Sequence, residues 1–163
     1  MIRRLMPADW AAFRDIRLDS LRTAPEAFGS THDEWAAKSE RDIRDWLTQM
    51  HCFAKTDAGR CLSVGAWHPI GGPVTHHRAH VIAVFTRSTA RGQGLFSAVM
   101  QAIEADIRAH AMRQIELDVS VINTVAHAAY LRAGFRDIAI LPDALCHGGV
   151  YADQIVMHKR LLP

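Results

Sequence analysis

Cysteine is scarce in this chain: Cys52, Cys61 and Cys146 are the only three in 163 residues. They are odd in number and far apart, with no C-x-x-C pair and no zinc spacing. A disulfide framework is thereby excluded, and the reading is of idle thiols in a reducing cytoplasm. Long apolar runs are missing too. No window approaches the roughly 18 consecutive apolar residues of a membrane span, and the basic start Met1-Ile2-Arg3-Arg4-Leu5 has no apolar h-region behind it. The chain therefore reads as soluble, unexported and cytoplasmic. Charge of one sign is lacking as well: 19 Lys plus Arg against 17 Asp plus Glu leave a formal net charge of +2. Without a clustered basic excess, a nucleic-acid partner is not expected. No linker, internal repeat or low-complexity tract interrupts the sequence, so residues 1–163 read as one domain. A hydrophobic fraction of 49% with 22% charged residues excludes a disordered chain, a collagen or a coiled coil.

What is present is an alternation of helical and extended patterns. Ile2 to Leu5 reads as a short strand. Pro7 and Asp9 then open a helix to about Arg22, with Phe13, Ile16 and Leu21 on one face. Ala24-Pro25 breaks it, and a loop through Gly29-Ser30-Thr31 leads to a second helix ending near Trp46 or Met50. Cys52 to Lys55 and Cys61 to His68 read as strands joined at Asp57-Ala58-Gly59. Ala79 to Thr86 is apolar on both alternating faces, with Val81, Ala83 and Phe85 on one side and Ile82 and Val84 on the other. A strand buried on both faces belongs inside a sheet that has helices above and below. A helix over Leu95 to His110, a strand over Ile115 to Val119, a helix over Thr124 to Ala133, and closing strands at Phe135 to Leu141 and Val150 to His158 complete the order. The fold class is α/β: a single mixed sheet of about seven strands with helices on both faces.

Two segments carry chemistry. Arg91-Gly92-Gln93-Gly94-Leu95-Phe96 lies between a strand and a helix start. Glycines there let the backbone approach an anion, which then meets the helix's free N–H groups and its dipole. The loop is neither a dinucleotide-binding G-x-G-x-x-G nor a Walker loop, and a purely structural turn would share its composition. The second segment is Asn123-x-x-Ala126-x-x-Ala129-Tyr130-x-x-x-Gly134-Phe135. Asn123 is placed to cap the following helix. Ala126 and Tyr130 share one helix face, leaving room for a ligand beneath the phenol, although a core tyrosine would look the same.

Together these segments resemble the GNAT superfamily of N-acetyltransferases, and the likeness covers nearly the whole chain. Arg91-Gly92-Gln93-Gly94 matches the start of that family's R/Q-x-x-G-x-G/A pyrophosphate loop, and Asn123 to Phe135 matches its N-x-x-A-x-x-(L)-Y-x-x-x-G-F segment. Ala24 to Thr31 looks like the family's loop between the first two helices. Departures are Phe96 where the family prefers Gly or Ala, Ala129 for a larger aliphatic, Ser88 for a common proline and Thr86 for a frequent valine. Phe96 costs cofactor affinity unless its side chain turns into the core and leaves its N–H facing the phosphate.

The resemblance implies acetyl-CoA as co-substrate and an amine, most simply a small-molecule primary amine, as acceptor. It implies that Val84, Phe85 and Thr86 hold the pantetheine arm, and that Arg91, Gly92, Gln93, Gly94, Leu95 and Phe96 hold the pyrophosphate. Asn123, Ala126 and Tyr130 line the remainder. Tyr130 is the candidate general acid, since a phenol of pKa about 10 can protonate a thiolate of similar basicity. His80, at the start of the central strand, is the candidate general base; Glu116, Glu26 and a water chain are its rivals. Asp33, Glu34 and Asp143 could attract a cationic amine, and the last strands could pair two copies in a homodimer. A protein N-terminal or lysine acceptor, or a regulator that binds acyl-CoA without turnover, are the alternatives. The ten histidines raise the question of a metal. His76 and His77 sit in a turn, and His76-x-x-x-His80 straddles a loop and a strand. His32, His51, His68, His110, His127, His147 and His158 offer no paired-histidine spacing, so no metal is expected.

Overall fold

The computed structural model describes residues 1–161. Seven strands make one sheet: β1 (Ile2–Arg4), β2 (His51–Asp57), β3 (Arg60–Pro69), β4 (Arg78–Thr86), β5 (Gln114–Ser120), β6 (Arg136–His147) and β7 (Val150–Arg160). Their spatial order is β1-β2-β3-β4-β5-β7-β6. All neighbours run antiparallel except β4 and β5, which are parallel. Such a parallel step needs a crossover connection, and helix α4 (Leu95–Ala109) supplies it. The other helices are α1 (Trp10–Thr23), α2 (His32–Ala36), α3 (Glu40–Gln49) and α5 (Thr124–Arg132). No helix among the described residues is long and apolar enough to cross a membrane.

The helices cover opposite faces and seal two cores. On one face α4 contributes Val99, Ile103 and Ile107 and α5 contributes Tyr130, packed on Val81, Ile115, Leu117 and Met157. On the other, Phe13 and Ile16 of α1, Trp35 of α2 and Ile43 and Leu47 of α3 pack on Ala54, Val64 and Phe85. The expected α/β sandwich is what the chain forms.

Three local expectations are corrected. The single second helix is two, α2 and α3, because Ser39 starts a new one. Its hydroxyl accepts from the Asp42 N–H at 3.2 Å, and the Asp42 carboxylate accepts from the Ser39 N–H at 2.8 Å. That capping box satisfies donors a continuous helix would have used internally. The strand expected to end at Leu141 runs to His147, with a register irregularity after Leu141, where Asp143 takes φ +49°. The third correction concerns β4. Val64 pairs with Phe85 and Ala66 with Ile82, so Gly65 alone opposes Ala83 and Val84. Ala83 takes φ +55°. One extra residue in the strand reverses the alternation. Val81 and Val84 therefore share the α4 face, while Ile82 and Phe85 share the α1 face.

At the end of β4, Arg87 is buried and holds three elements together. Its Nη1 donates to Asp19 and its Nη2 to Asp15, both at 2.6 Å on α1, while Nε donates to the Cys61 carbonyl at 2.8 Å on β3. Burial pushes the Cys61 thiol up to about 11 and holds the Cys52 thiol well above the ordinary cysteine value. Both stay protonated and unreactive near neutral pH.

Gly65 is needed for close approach. A Cβ there would lie 2.9 Å from Ile103 Cδ1, 3.3 Å from Val84 Cγ2 and 3.4 Å from Val99 Cγ1. Overpacking of this kind costs about 1–3 kcal/mol, so Gly65→Ala is expected to lower the unfolding free energy by that amount, read as a lower denaturant midpoint at unchanged slope. An unchanged midpoint would mean that α4 is not pressed against the bulge.

Candidate active site

β4 and β5 do not stay together. They pair only from Arg78 opposite Gln114 to His80 opposite Glu116, although β5 continues to Ser120 beside β7. Past His80, the polar groups of β4 that face away from β3 have no strand to bond, and cavities open along that edge.

The cavity at the C-terminal end of β4, of about 380 Å³, is walled by Val84, Phe85, Thr86, Arg91, Phe96 and Tyr130. Asn123, Ala126 and Glu26 also border it. Beyond Thr86 the chain makes a short turn at Ser88–Ala90, then runs through Gly92 (φ +75°) and Gly94 (φ +71°) into α4. Gly94 is the N-cap residue and offers no side chain. The N–H groups of Leu95, Phe96 and the residue after them are the orphan donors of a helix start, and they favour an anion. Both positive φ angles are open to glycine without cost, so Gln93 and its neighbours can bend tightly over such a ligand. Arg91 folds back, with Nε donating to the Thr86 carbonyl at 3.3 Å.

Phe96 does turn its ring inward. It meets Tyr130 edge-on with centroids 5.4 Å apart, and Tyr130 meets Phe135 at 5.8 Å. The tyrosine is thus wedged between two rings. Burial pushes its phenol well above the ordinary tyrosine value, because a phenolate there would lose its hydration. Asn123 caps α5 as expected, its side-chain oxygen accepting from the Ala126 N–H at 3.2 Å. Ala126 and Tyr130 lie one turn apart on a common wall.

A narrow space of about 70 Å³ continues inward between Phe28, Val81, Val84, Asp118, Asn123 and Tyr130. A third cavity, of about 360 Å³, opens on the α1 side of the sheet, with Arg17, Phe28, Trp35, Trp46, His80 and Asp118 on its walls. Phe28 borders all three spaces. His80 is held by Asp118, whose Oδ2 lies 3.2 Å from its Nε2. With Nε2–H donating to that carboxylate, Nδ1 is the ring atom left to accept a proton.

The rivals to His80 are placed differently. Glu116 is clamped by Arg78, with Nη2 to Oε2 at 2.7 Å and Nε to Oε1 at 2.5 Å, and it also accepts from Gln114 at 2.9 Å. The Arg78 guanidinium holds its carboxyl below the usual glutamate value. Glu26 borders the cavity that ends at the glycine loop, not the one containing His80. Asp33, Glu34 and Asp143 border none of the three spaces.

Arg17, Asp118 and the two tryptophans were not singled out from sequence. Arg17 had a readable signal: it stands four residues after Phe13, in the apolar stripe of its helix. A second assembly also escaped notice. His51, Asp106 and His110 converge away from the cleft, with His51 Nδ1 2.8 Å from Asp106 Oδ2 and Trp67 Nε1 donating to the same oxygen at 2.9 Å. A search for histidine pairs passes over Asp106-x-x-x-His110, which puts a carboxylate and an imidazole on one face of α4.

A sheet parted beside a glycine loop at a helix start, with a wedged tyrosine at the junction, defines a class of acyltransferase folds. The profile of the Acetyltransferase (GNAT) family matches residues 10–135, and the chain belongs to that family. Solved structures agree on the fold. A ribosomal-protein-alanine N-acetyltransferase from Brucella melitensis superposes with TM-score 0.85 at 17% identity, over 99% of both chains. A GCN5-related N-acetyltransferase from Kribbella flavida gives 0.82 at 25% identity, over 99% of this chain and 97% of that one. A putative acetyltransferase from Salmonella typhimurium, solved with its cofactor acetyl-CoA, gives 0.86 at 14% identity over 100% and 94%. No curated protein sequence matches the chain.

The environment of Tyr130 has a spectroscopic consequence. Tyrosinate absorbance lost in Tyr130→Phe should be absent through the range where a free phenol ionises, about pH 10. A buried acid that keeps its proton while the unfolded chain releases it loses stability as pH rises above that value. A native-state difference signal at that pH would show the phenol to be hydrated.

Proposed function

We propose that this chain transfers an acetyl group from acetyl-CoA to a small-molecule primary amine by direct attack in a ternary complex. Tyr130 acts as general acid, and His80, steered by Asp118, acts as general base. The observation that carries this reading is the run of three spaces along the free edge of β4, with Tyr130 bordering the two on the loop side and His80 bordering the third.

The residues fit acetyl-CoA. The glycine loop and the start of α4 present orphan N–H groups for a pyrophosphate, and Val84, Phe85 and Thr86 present strand-edge polar groups for a pantetheine arm. A backbone N–H near Val84 to Thr86 faces the place where negative charge develops on the thioester oxygen. The amine nitrogen adds its lone pair to the carbonyl carbon and gives up a proton to His80 Nδ1. When the carbon–sulfur bond breaks, the sulfur takes the proton from the Tyr130 hydroxyl, and the proton held by His80 returns through water to the phenolate. Burial holds Tyr130 in its neutral donor form but makes it a weaker acid than a free phenol, so the role rests on its place beside the cavity and not on matched basicity.

Trp35, Trp46 and Phe28 give the outer cavity an apolar wall, which supports a small acceptor in this reading, with a protein N-terminus or lysine as the alternative. The described residues 1–161 all attach to one sheet, which supports a single domain over 1–163 whose last two residues lie outside those described. Pairing of two copies through the last strands is part of the same reading, supported by exposed Ile138, Ile140, Val150 and Tyr151 on β6 and β7.

Two variants test the chemistry. Tyr130→Phe should lower kcat about 10²-fold while the calorimetric affinity for acetyl-CoA stays nearly unchanged; equal losses in both would make Tyr130 a structural residue. His80→Gln should remove the acidic limb of the pH–rate profile, and an unaltered profile would eliminate His80 as base. Tight acetyl-CoA binding with no thiol release on any amine would favour the regulator instead.

A further inference from the structure

Arg17 is 6% exposed, on the buried face of α1, and borders the outer cavity. Its guanidinium lies between two rings, with Cζ 4.9 Å from the centroids of both Phe28 and Trp35. Among the described residues, neither its Nε nor its Nη1 finds a hydrogen-bond partner, and the buried Nε1 of Trp35 finds none either. Glu34 acts on Arg17 only from a distance, and burial pulls the guanidinium pKa down to about 10. It is still a cation near neutral pH. A buried, unpaired charge is costly, and buried donors are otherwise almost always satisfied. Here three donor nitrogens on two neighbouring side chains, with four N–H groups between them, have no acceptor among the described residues, and both side chains line one cavity.

We infer that this cavity is built for an acceptor carrying a carboxylate, which Arg17 and Trp35 bind while its amine lies at His80 and Asp118; the acceptor class is that of amino acids. The inference rests on the acetyl-transfer reading and specifies its second substrate. A carboxylate has only acceptor lone pairs, so it matches a set of donors, whereas an ammonium or a neutral amide does not. The Phe28 and Trp35 rings flank the guanidinium carbon, and the planar fork of an arginine is the geometry that pairs with a carboxylate. Arg17 is the one Lys or Arg on the walls of this cavity, so a single negative charge balances it. The same cavity also carries the opposite polarity, where Asp118 holds His80. An amine with an anionic neighbour is therefore oriented along the cavity, nitrogen toward the parted strand edge. Phe28, Trp35 and Trp46 leave an apolar wall for a side chain.

Matched substrates read this directly. Thiol release is measured for phenylalanine against phenethylamine and for leucine against isoamylamine, in wild type, Arg17→Met and Arg17→Lys. Wild type should favour the amino acid of each pair by roughly 10- to 100-fold in kcat/KM, the size of a hydrogen bond to a charged group. Arg17→Met, which keeps length and apolar packing, should collapse that ratio. Arg17→Lys, which keeps the charge without the planar fork, should fall between. Circular dichroism and a thermal scan check folding, and the melting temperature of Arg17→Met should not fall, since an unpaired buried charge is removed. Wild-type preference for the decarboxylated amine, or an unchanged ratio in folded Arg17→Met, overturns the inference. Calorimetry of the same amino acids on the CoA complex separates the two readings. Binding that is lost in Arg17→Met upholds the subsite even if no amine is acetylated, a result that would defeat only the transfer reading; equal binding by both proteins defeats the subsite.

Discussion

The parting of β4 from β5 is the constraint on which the site depends. Pairing ends at His80 and Glu116, yet both strands continue, so the sheet must hold its shape without hydrogen bonds along one seam. It does so because β4 remains laddered to β3 and β5 to β7, and because the two cores grip the sheet from opposite faces. A central strand therefore acquires a free edge inside the protein, where a ligand can complete the missing ladder. An edge exposed to solvent would invite another chain; this one opens only into cavities that Phe28, Tyr130 and Asp118 border.

The bulge at Ala83 refines that edge. Gly65 opposes two residues at once, and the lack of a side chain there lets α4 and Val84 close over the irregularity. The reversal of phase sends Val84 toward Tyr130 and leaves His80 and Ile82 on the side of α1. One strand thereby serves two cavities with different chemistry: backbone groups at the loop end and an imidazole with its carboxylate at the other.

Much of this was legible. The glycine loop, the Asn123 cap, the Ala126–Tyr130 face and the order of the seven strands follow from local rules that act over a few residues, and each is where the sequence put it. The inward turn of Phe96 needed its neighbours Tyr130 and Phe135, which are remote in sequence. Alternation in Val81 to Phe85 misled, because a bulge is made by pairing and leaves no mark in an all-apolar run. The break between α2 and α3 was marked by Ser39 and Asp42 and was passed over. Arg17 was readable as a charge in an apolar stripe, but its meaning required seeing that no acceptor reaches it.

Arg87 joins two regions that would otherwise be separate. It closes β4 just before the glycine loop, and its partners Asp15 and Asp19 sit on either side of Arg17 along α1. Arg17 is therefore borne on a helix bolted to the root of the glycine loop. Substitutions that reshape the cavity on the α1 side are free to alter the inward face of that helix, whereas Asp15 and Asp19 stand as fixed points. Phe28, Trp35 and Trp46, the wall residues that bear no part of that clamp, are the ones free to vary without loosening it.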